Sequence, residues 1–174
     1  MSFFNFQKDK LYSIYDDIET TNFHVGYFID SDEDFLLFNL ITTRGFEDGF
    51  FLMREENVYR VDFEDRYIDR ITKLMQIHNQ CKRTSSFSNS DGLVKSLLEF
   101  AQNNYFLVVI ELENGDFVTG NIESVESDGV IIHIVSDDGV VEGKSKIWFD
   151  SILRMAVDSG EGRNIQALMN QYHK

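Results

Sequence analysis

Proline is absent from this chain, and cysteine and tryptophan occur once each, as Cys81 and Trp148. One cysteine cannot form a disulfide within the chain, so the fold cannot depend on a disulfide framework. No apolar run approaches the roughly 20 residues that cross a bilayer, and the first ten residues, MSFFNFQKDK, lack the apolar segment of a signal peptide. Together these features predict a cytoplasmic protein that has no membrane association.

Basic residues are scarce relative to acidic ones. The chain has 16 lysines and arginines against 30 aspartates and glutamates, which gives a formal net charge of −14. Because nonspecific nucleic-acid binding depends almost wholly on Lys and Arg contacts with phosphate, this balance argues against nucleic acid as a partner. The acidic charge is explained by solubility, and a specific basic partner is the alternative. The hydrophobic content of 43%, with 16 phenylalanines, argues against wholesale disorder.

Residues 106–155 alternate short apolar runs with turn signals. The turns are indicated by Asn114-Gly115, Asp128-Gly129 and Asp137-Asp138-Gly139, because Asn, Asp and Gly tolerate the positive φ of tight hairpins. The pattern predicts a strongly bent antiparallel meander whose strands have about five to eight residues.

Two glycines in this stretch carry a resemblance to a known family. Gly115 and Gly120, with Leu112 before them and Ile122 after them, resemble the first motif of the Sm and Sm-like barrels, apolar-x-x-Gly-x4-Gly-x-apolar. The resemblance implies a small barrel in which the second glycine lets a long strand bend sharply. It also implies RNA as a partner.

The residues that contact RNA in that family are not retained. The family's acidic residue falls near Glu126, but its RNA-reading Asn falls near Val130, and the Arg-Gly pair of its second motif is missing from residues 147–152. The basic residues are scattered, and the only cluster is Lys82-Arg83. We therefore predict no binding to single-stranded RNA tighter than about 10 μM at physiological salt.

The first half of the chain is predicted to be a short helix followed by five strands. Residues 8–19 place Leu11, Ile14 or Tyr15, and Ile18 at a helical spacing. The strand candidates are FHVGYFID at 23–30, FLLFNLIT at 35–42, FFLMR at 50–54, VYRVDF at 58–63 and YIDRI at 67–71.

A second helix and a tail helix are predicted after a linker. The polar, small residues of 82–90 indicate the linker. Ser90 or Asp91 is expected to cap the next helix, whose apolar face comprises Leu93, Val94, Leu97, Leu98 and Ala101. Residues 163–172 predict a short tail helix with Ile165, Leu168 and Met169 on one side.

The two halves predict an internal duplication at an offset of 80 to 84 residues. Leu11 falls on Val94 at an offset of 83, and Asp34-Phe35 falls on Asp116-Phe117 at 82. The predicted fold is mainly β with short helices: two tandem Sm-like barrels, each a short helix followed by a bent five-stranded antiparallel sheet. The predicted domains are a first helix-plus-barrel repeat at 1–81, the linker at 82–90, a second repeat at 91–158 and the tail helix at 159–174.

Metal sites are incomplete in the sequence. Asp30, Asp32 and Asp34 match the first three ligands of an EF-hand loop, but Phe35 and Ile41 stand where that loop needs Gly and Glu, so a solvated hairpin is predicted. His78 and Cys81 form at most half of a zinc site, because no second cysteine exists to complete it. We therefore predict no bound calcium or zinc.

Catalytic motifs are also missing from the sequence. Lys82 and Arg83 are suited to lower the pKa of the Cys81 thiol, but nothing supplies a base for it. There is no Gly-rich phosphate loop, no G-x-S-x-G and no H-E-x-x-H. Trp148, beside Phe149, is expected to pack in the core, and an anchor on a binding surface is the alternative.

These patterns favour a non-catalytic protein-interaction module or adaptor without a cofactor. Strand edges of small barrels pair with other chains, so the expected partner is another protein or a second copy of this chain. An RNA-associated Sm-like protein is the first alternative. An enzyme with an unrecognised site between the two halves is the second.

Overall fold

The computed structural model describes residues 4–16, 22–85, 87 and 90–172. These residues form ten β-strands and three short α-helices, so the chain is mainly β, as the sequence predicts. The chain divides into two compact units, Met1–Ser86 (unit 1) and Phe87–Lys174 (unit 2). Within each unit, every described strand pair is antiparallel.

Unit 1 contains five strands followed by one helix. They are β1 (Leu11–Tyr15), β2 (His24–Ser31), β3 (Phe35–Ile41), β4 (Glu47–Arg54), β5 (Arg60–Asp62) and α1 (Arg66–Ile77). The strand order is β5-β1-β2-β3-β4. Among the residues described for this unit, β5 and β4 are not paired, so the sheet is not closed.

Unit 2 contains five strands between two helices. They are α2 (Leu93–Asn103), β6 (Val108–Leu112), β7 (Phe117–Val125), β8 (Gly129–Val135), β9 (Val141–Trp148), β10 (Ile152–Val157) and α3 (Gly160–Gln171). The strand order is β10-β6-β7-β8-β9. Counted along the chain, the order in both units is fifth, first, second, third, fourth.

The strands of the two units pair in the same register. Gly26 opposes Leu40 in unit 1, and Gly120 opposes Ile134 in unit 2, so equivalent residues differ by 94 (120 minus 26). The same offset relates the β3–β4 pairs to the β8–β9 pairs, and α1 to α3. The first strands differ by 96, because Tyr12 opposes Gly26 and Val108 opposes Gly120 (108 minus 12).

The last helix of each unit packs on equivalent core positions. In unit 1, the buried cluster includes Leu11, Ile41, Ile71 and Met75. In unit 2, the corresponding cluster is Leu107, Val135, Ile165 and Met169. Each helix therefore covers the start of the first strand and the end of the third strand of its unit, and its burial stabilises the sheet beneath it.

The helix predicted at residues 8–19 is wrong, because Leu11–Tyr15 form β1. Leu11, Tyr12, Ser13 and Ile14 are all buried. A strand that is buried on both faces appears in the sequence as a continuous run of apolar residues. A short run of this kind also matches the spacing of a helix by coincidence. Residues 17–19 of that prediction lie outside the described residues.

The strand predicted at residues 67–71 is also wrong, because this stretch lies in α1. Asp65 is the N-cap residue, and its Oδ1 accepts a hydrogen bond from the Ile68 N–H at 2.8 Å. Ile68, Ile71 and Met75 form the buried face of the helix. Their spacing of three and four residues is helical, and the cap supplies an acceptor for an otherwise unpaired N–H.

The predicted offset of 80 to 84 residues does not relate equivalent strands. It aligns Asp34-Phe35, at the start of β3, with Asp116-Phe117, at the start of β7. However, β3 is the third strand of unit 1, whereas β7 is the second strand of unit 2. A helix precedes the strands in unit 2, but residues 4–10 of unit 1 contain no helix, and α1 follows β5 instead.

Three boundaries differ from the sequence predictions. Gly92 is the N-cap residue of α2 and no side chain caps that helix, so neither Ser90 nor Asp91 has the expected role. Helix α3 begins at Gly160 rather than at residue 163, because the Ser159 Oγ accepts from the Gly162 N–H at 3.1 Å. Residues 173–174 of the predicted tail lie outside the described part of the chain.

The start of the predicted linker at 82–90 is bound to unit 1. The Arg83 N–H donates to Asn39 Oδ1 at 2.7 Å. Lys82 Nζ lies 2.8 Å from Asp9 Oδ1. These contacts join the segment that follows α1 to the sheet of its own unit.

Gly115 and Gly120 have distinct backbone roles in unit 2. Gly115 lies in the β6–β7 turn with φ of +87°, a conformation that L side chains rarely adopt. Gly120 lies in β7, where a Cβ would be 2.0 Å from the His133 carbonyl oxygen. The β7–β8 register shifts between Ile122 and Ser124, which marks a bulge of the kind that bends a strand.

Candidate functional site

Strand β9 is exposed along most of its length. Among its residues only Ile147 is buried, whereas Val141 is 52% and Trp148 is 56% exposed. β9 pairs with β8 on one side, and no other strand of the described chain pairs with its opposite side. β9 therefore presents an open edge of eight residues.

The hydrogen-bond pattern of an antiparallel strand pair shows which backbone groups of β9 face the open edge. The Phe149 N–H donates to the Asp128 carbonyl at 3.0 Å, so residues 128 and 149 are a hydrogen-bonded pair. Hydrogen-bonded and non-hydrogen-bonded pairs alternate along the ladder. The N–H and C=O groups of Lys144, Lys146 and Trp148 therefore point away from β8, toward the open edge.

Carboxylates on β7 and in the β7–β8 turn balance the lysines of β9. Lys144 Nζ lies 2.7 Å from Glu123 Oε2, and Lys146 Nζ lies 2.7 Å from Glu126 Oε2 and 3.2 Å from Asp128 Oδ1. The hydrogen bond with Lys144 lowers the pKa of Glu123. A hydrogen bond with Glu126 and a weaker effect of the hydrogen bond with Asp128 raise the pKa of Lys146. The edge is therefore polar without a large local excess of either charge.

Trp148 lies on the surface at the end of β9, so the expected core packing is wrong. Its side chain is more than half exposed, and Lys146 Nζ is 5.6 Å from the ring centroid. Exposed tryptophan side chains dominate many binding hot spots because they bury a large area on contact. The alternative interpretation, an anchor on a binding surface, agrees with this position.

The edge formed by β5 offers much less to a partner. This strand has three residues, and Arg60 Nη2 lies 2.7 Å from Asp62 Oδ2. The Arg60 guanidinium also stacks on the Tyr15 ring, 4.6 Å from its centroid. Short, charged edge strands resist pairing with other chains.

The acidic turn at residues 30–34 uses its carboxylates to bind backbone. Asp32 Oδ1 accepts from the N–H groups of Asp34 at 3.0 Å and Phe35 at 2.8 Å. Asp30 Oδ1 accepts from the Ser31 N–H at 3.0 Å. These hydrogen bonds shape the turn between β2 and β3, as expected for a hairpin.

His78 and Cys81 have different surroundings. The His78 ring stacks on Phe46 with centroids 4.4 Å apart, and Cys81 is exposed. The described residues contain no group of three or more His, Cys, Asp or Glu side chains placed to hold a metal ion.

The same part of the chain contains no helix long and apolar enough to cross a bilayer.

The other two described histidines each meet a carboxylate. His24 Nε2 lies 3.5 Å from Asp16 Oδ1, and its ring lies 4.4 Å from the Phe51 ring centroid. His133 Nε2 lies 3.0 Å from Glu123 Oε2 at the surface. Sequence reasoning found the histidines but missed their carboxylate partners, because these come from the residue that follows β1 and from β7.

Comparison of the chain with models of protein families, with curated proteins and with solved structures finds no match. Proposals about its function therefore depend on the surface of the chain itself.

Proposed function

We propose that this chain is a non-catalytic protein-interaction module built from two tandem Sm-like repeats, and that an extended segment of a protein partner pairs with the open edge of β9. The observation that carries the proposal is the unpaired eight-residue edge with exposed Trp148 at its end. An added strand gains affinity from backbone hydrogen bonds and specificity from side-chain contacts.

Duplication of an ancestral unit is the second part of the proposal. It is supported by the shared strand order, by the constant offset of 94 from the second strand to the last helix, and by the equivalent core clusters. Two features of unit 2 support the Sm-like assignment: helix α2 precedes the five strands, and Gly115 and Gly120 lie in the β6–β7 turn and in β7. The cytoplasmic location stays a prediction from the sequence.

A proline in β9 tests the edge directly. Lys144→Pro removes an N–H that points away from β8, so it leaves the β8 ladder intact and removes a donor from the open edge. Lys144→Ala is the matched control, because it also loses the ion pair with Glu123 but keeps the backbone N–H. The tagged full chain is used to recover partners from its own cells, and sedimentation velocity at rising concentration measures self-association.

The two variants separate the possible outcomes. We expect a protein that binds the wild type and Lys144→Ala but not Lys144→Pro, or self-association with the same pattern. The fluorescence of Trp148, the single tryptophan, is expected to shift to shorter wavelength when the edge is covered. Equal binding or equal self-association by all three proteins would contradict the role of the β9 edge.

A further inference from the structure

Unit 1 has a basic helix face in a chain with an overall acidic charge. Arg66, Arg70 and Lys73 are all exposed on α1. Their spacing, i, i+4 and i+7, places them on one face of the helix. The face is about 10 Å long, from the rise of roughly 1.5 Å per residue.

A fourth cation lies beside this face. Arg44 is exposed in the turn between β3 and β4. The turn packs closely on the helix, because a Cβ added to Gly45 would lie 2.6 Å from Leu74 Cβ. The turn that carries Arg44 therefore lies against α1 at Leu74.

These four cations differ from the other basic residues in their electrostatic partners. Most other lysines and arginines of the described chain form ion pairs with carboxylates. Arg44, Arg66, Arg70 and Lys73 form none with the residues that the structure describes. Their charge is therefore available to a ligand, although Asp69 lies among them.

The α1 cations border an open groove of about 700 Å³. Tyr67 and Leu74 contribute apolar surface to its lining, and the positive charges of Arg66, Arg70 and Lys73 outnumber the one negative charge, that of Asp69. Such a groove suits a ligand that carries both anionic and apolar groups.

The fold does not require this basic face, as unit 2 demonstrates. At the offset of 94 residues, Asp138 replaces Arg44 and Gly160 replaces Arg66. Asn164 replaces Arg70 and Ala167 replaces Lys73. Because α3 and α1 have equivalent places in their units, the charges are a property of unit 1 alone.

We propose that this basic groove, lined by Arg66, Arg70 and Lys73 beside Tyr67 and Leu74, with Arg44 on the adjoining turn, binds an acidic peptide segment of a protein partner. Carboxylates of the peptide contact the cations, and an apolar side chain enters the groove. The basic groove is a second binding surface, in the other unit from the β9 edge, and the proposal does not depend on that edge.

Charge and length favour a short acidic peptide over nucleic acid. Charges on the surface act over a Debye length of about 8 Å at physiological salt. A short peptide keeps its carboxylates within the basic face, whereas a long polyanion extends over a chain whose net charge is −14. Four phosphate contacts also supply little affinity at that salt concentration.

Fluorescence anisotropy of the full chain with a fluorescein-labelled peptide tests the proposal. The probe alternates glutamate and leucine over about six residues, a length of roughly 20 Å when extended. The test variant is Arg70→Gln with Lys73→Gln, and the control is Asn164→Glu with Ala167→Glu at the equivalent exposed positions of α3. Each pair of substitutions changes the net charge by the same amount, from −14 to −16.

We expect the test variant to bind the peptide about three- to tenfold more weakly than the wild type and the control to change by less than about twofold. Lys144→Pro is expected to bind the peptide normally, which separates this site from the β9 edge. Amide chemical shifts of the wild type are expected to change in α1 and at Arg44 on peptide addition, a result that does not depend on the variants.

Three results would overturn the proposal. The first is equal weakening in the test and control variants, which would show an effect of net charge alone. The second is the lack of binding and of α1 shift changes at millimolar peptide. The third is tighter binding of a uridine-rich RNA oligomer that is lost in the same test variant, which would assign the basic groove to nucleic acid.

Discussion

Strands β4 and β9 occupy equivalent places in their units and pair with the preceding strand in the same register, yet β4 is buried and β9 is exposed. Both strands contain a glycine at the third position, Gly49 and Gly143. The next four residues are Phe-Phe-Leu-Met in β4 and Lys-Ser-Lys-Ile in β9. The same pairing with the preceding strand thus occurs in a buried strand and in an exposed one, and the side chains of the two strands differ accordingly.

The largest expected effect comes from giving β4 the lysine that β9 carries. Leu52 is fully buried and is equivalent to Lys146. Leu52→Lys places a charge in the core without a partner, so we expect a loss of about 4 kcal/mol in the free energy of unfolding. The reciprocal change, Lys146→Leu, lies on an exposed strand and is expected to cost less than about 1 kcal/mol.

Urea unfolding followed by far-UV circular dichroism measures both changes, and Trp148 fluorescence reports on unit 2. Similar losses for the two variants would mean that burial does not distinguish β4 from β9. That result would remove the basis for treating β9 as a binding edge.

Two equivalent glycines test how far the units share their packing. A Cβ at Gly120 would lie 2.0 Å from a backbone oxygen, whereas at Gly26 the nearest atoms are the side chains of Leu40 and Phe38 at 3.0 Å and the Asn39 carbonyl oxygen at 3.1 Å. We expect Gly120→Ala to cost about 3 kcal/mol and Gly26→Ala about 1 kcal/mol, because the overlap at Gly120 is much larger and the backbone must move to relieve it. Gly143→Ala is the control, since nothing lies within 4 Å of its Cβ, and thermal unfolding measures all three.

The buried amide of Asn39 marks another difference between the units. Its Nδ2 donates to Glu47 Oε1 and to the Gly49 carbonyl at 2.8 Å each, and its Oδ1 accepts from the Arg83 N–H. We expect Asn39→Ala to cost about 2 kcal/mol, since it leaves buried partners unsatisfied. We also expect faster hydrogen exchange at the Arg83 amide.

The equivalent residue in unit 2 is His133, whose side chain is bound to Glu123 at the surface. His133→Ala is therefore the matched control, and its expected cost is below about 1 kcal/mol. Unchanged exchange at Arg83 in Asn39→Ala would contradict the role of Asn39 in holding the segment that follows α1.

The sequence predicted unit 2 better than unit 1. In unit 2 the turn signals at Gly115 and Gly139 coincide with positive φ, and the apolar face from Leu93 to Ala101 coincides with the buried face of α2. In unit 1, four residues of β1 are buried, so apolar and polar residues do not alternate along it. The spacing of its apolar residues therefore did not distinguish a strand from a helix. The wrong helix at 8–19 then produced the wrong offset.

The candidate surfaces depended on information that sequence patterns lack. The open edge of β9 is defined by which strand lies beside it, and strand neighbours come from long-range pairing. The basic groove lies on α1, and the packing of Gly45 on Leu74 brings the turn that carries Arg44 beside this helix. Counting charges over the whole chain missed this local cluster, because the other basic residues are mostly neutralised by ion pairs.

The smallest expected effect concerns the carboxylate that binds β9. Hydrogen bonding with Lys144 holds the pKa of Glu123 below its ordinary value, and in unit 1 the equivalent positions are Ile29 and Phe50. Because the pKa is lowered in the folded chain, the contribution of this pair to stability is present above the ordinary glutamate pKa. It is lost as the pH falls through the lowered value.

In Lys144→Ala, the pKa of Glu123 is therefore expected to rise toward its ordinary value, as measured by carbon-13 NMR titration of the side-chain carboxyl. Lys95→Ala is the control, because Lys95 pairs with Asp91 instead. A pKa that stays low in Lys144→Ala would assign the shift to His133, which lies 3.0 Å from the same carboxylate. The effect on stability is expected to be small, because both charges are open to water and solvent screens the pair.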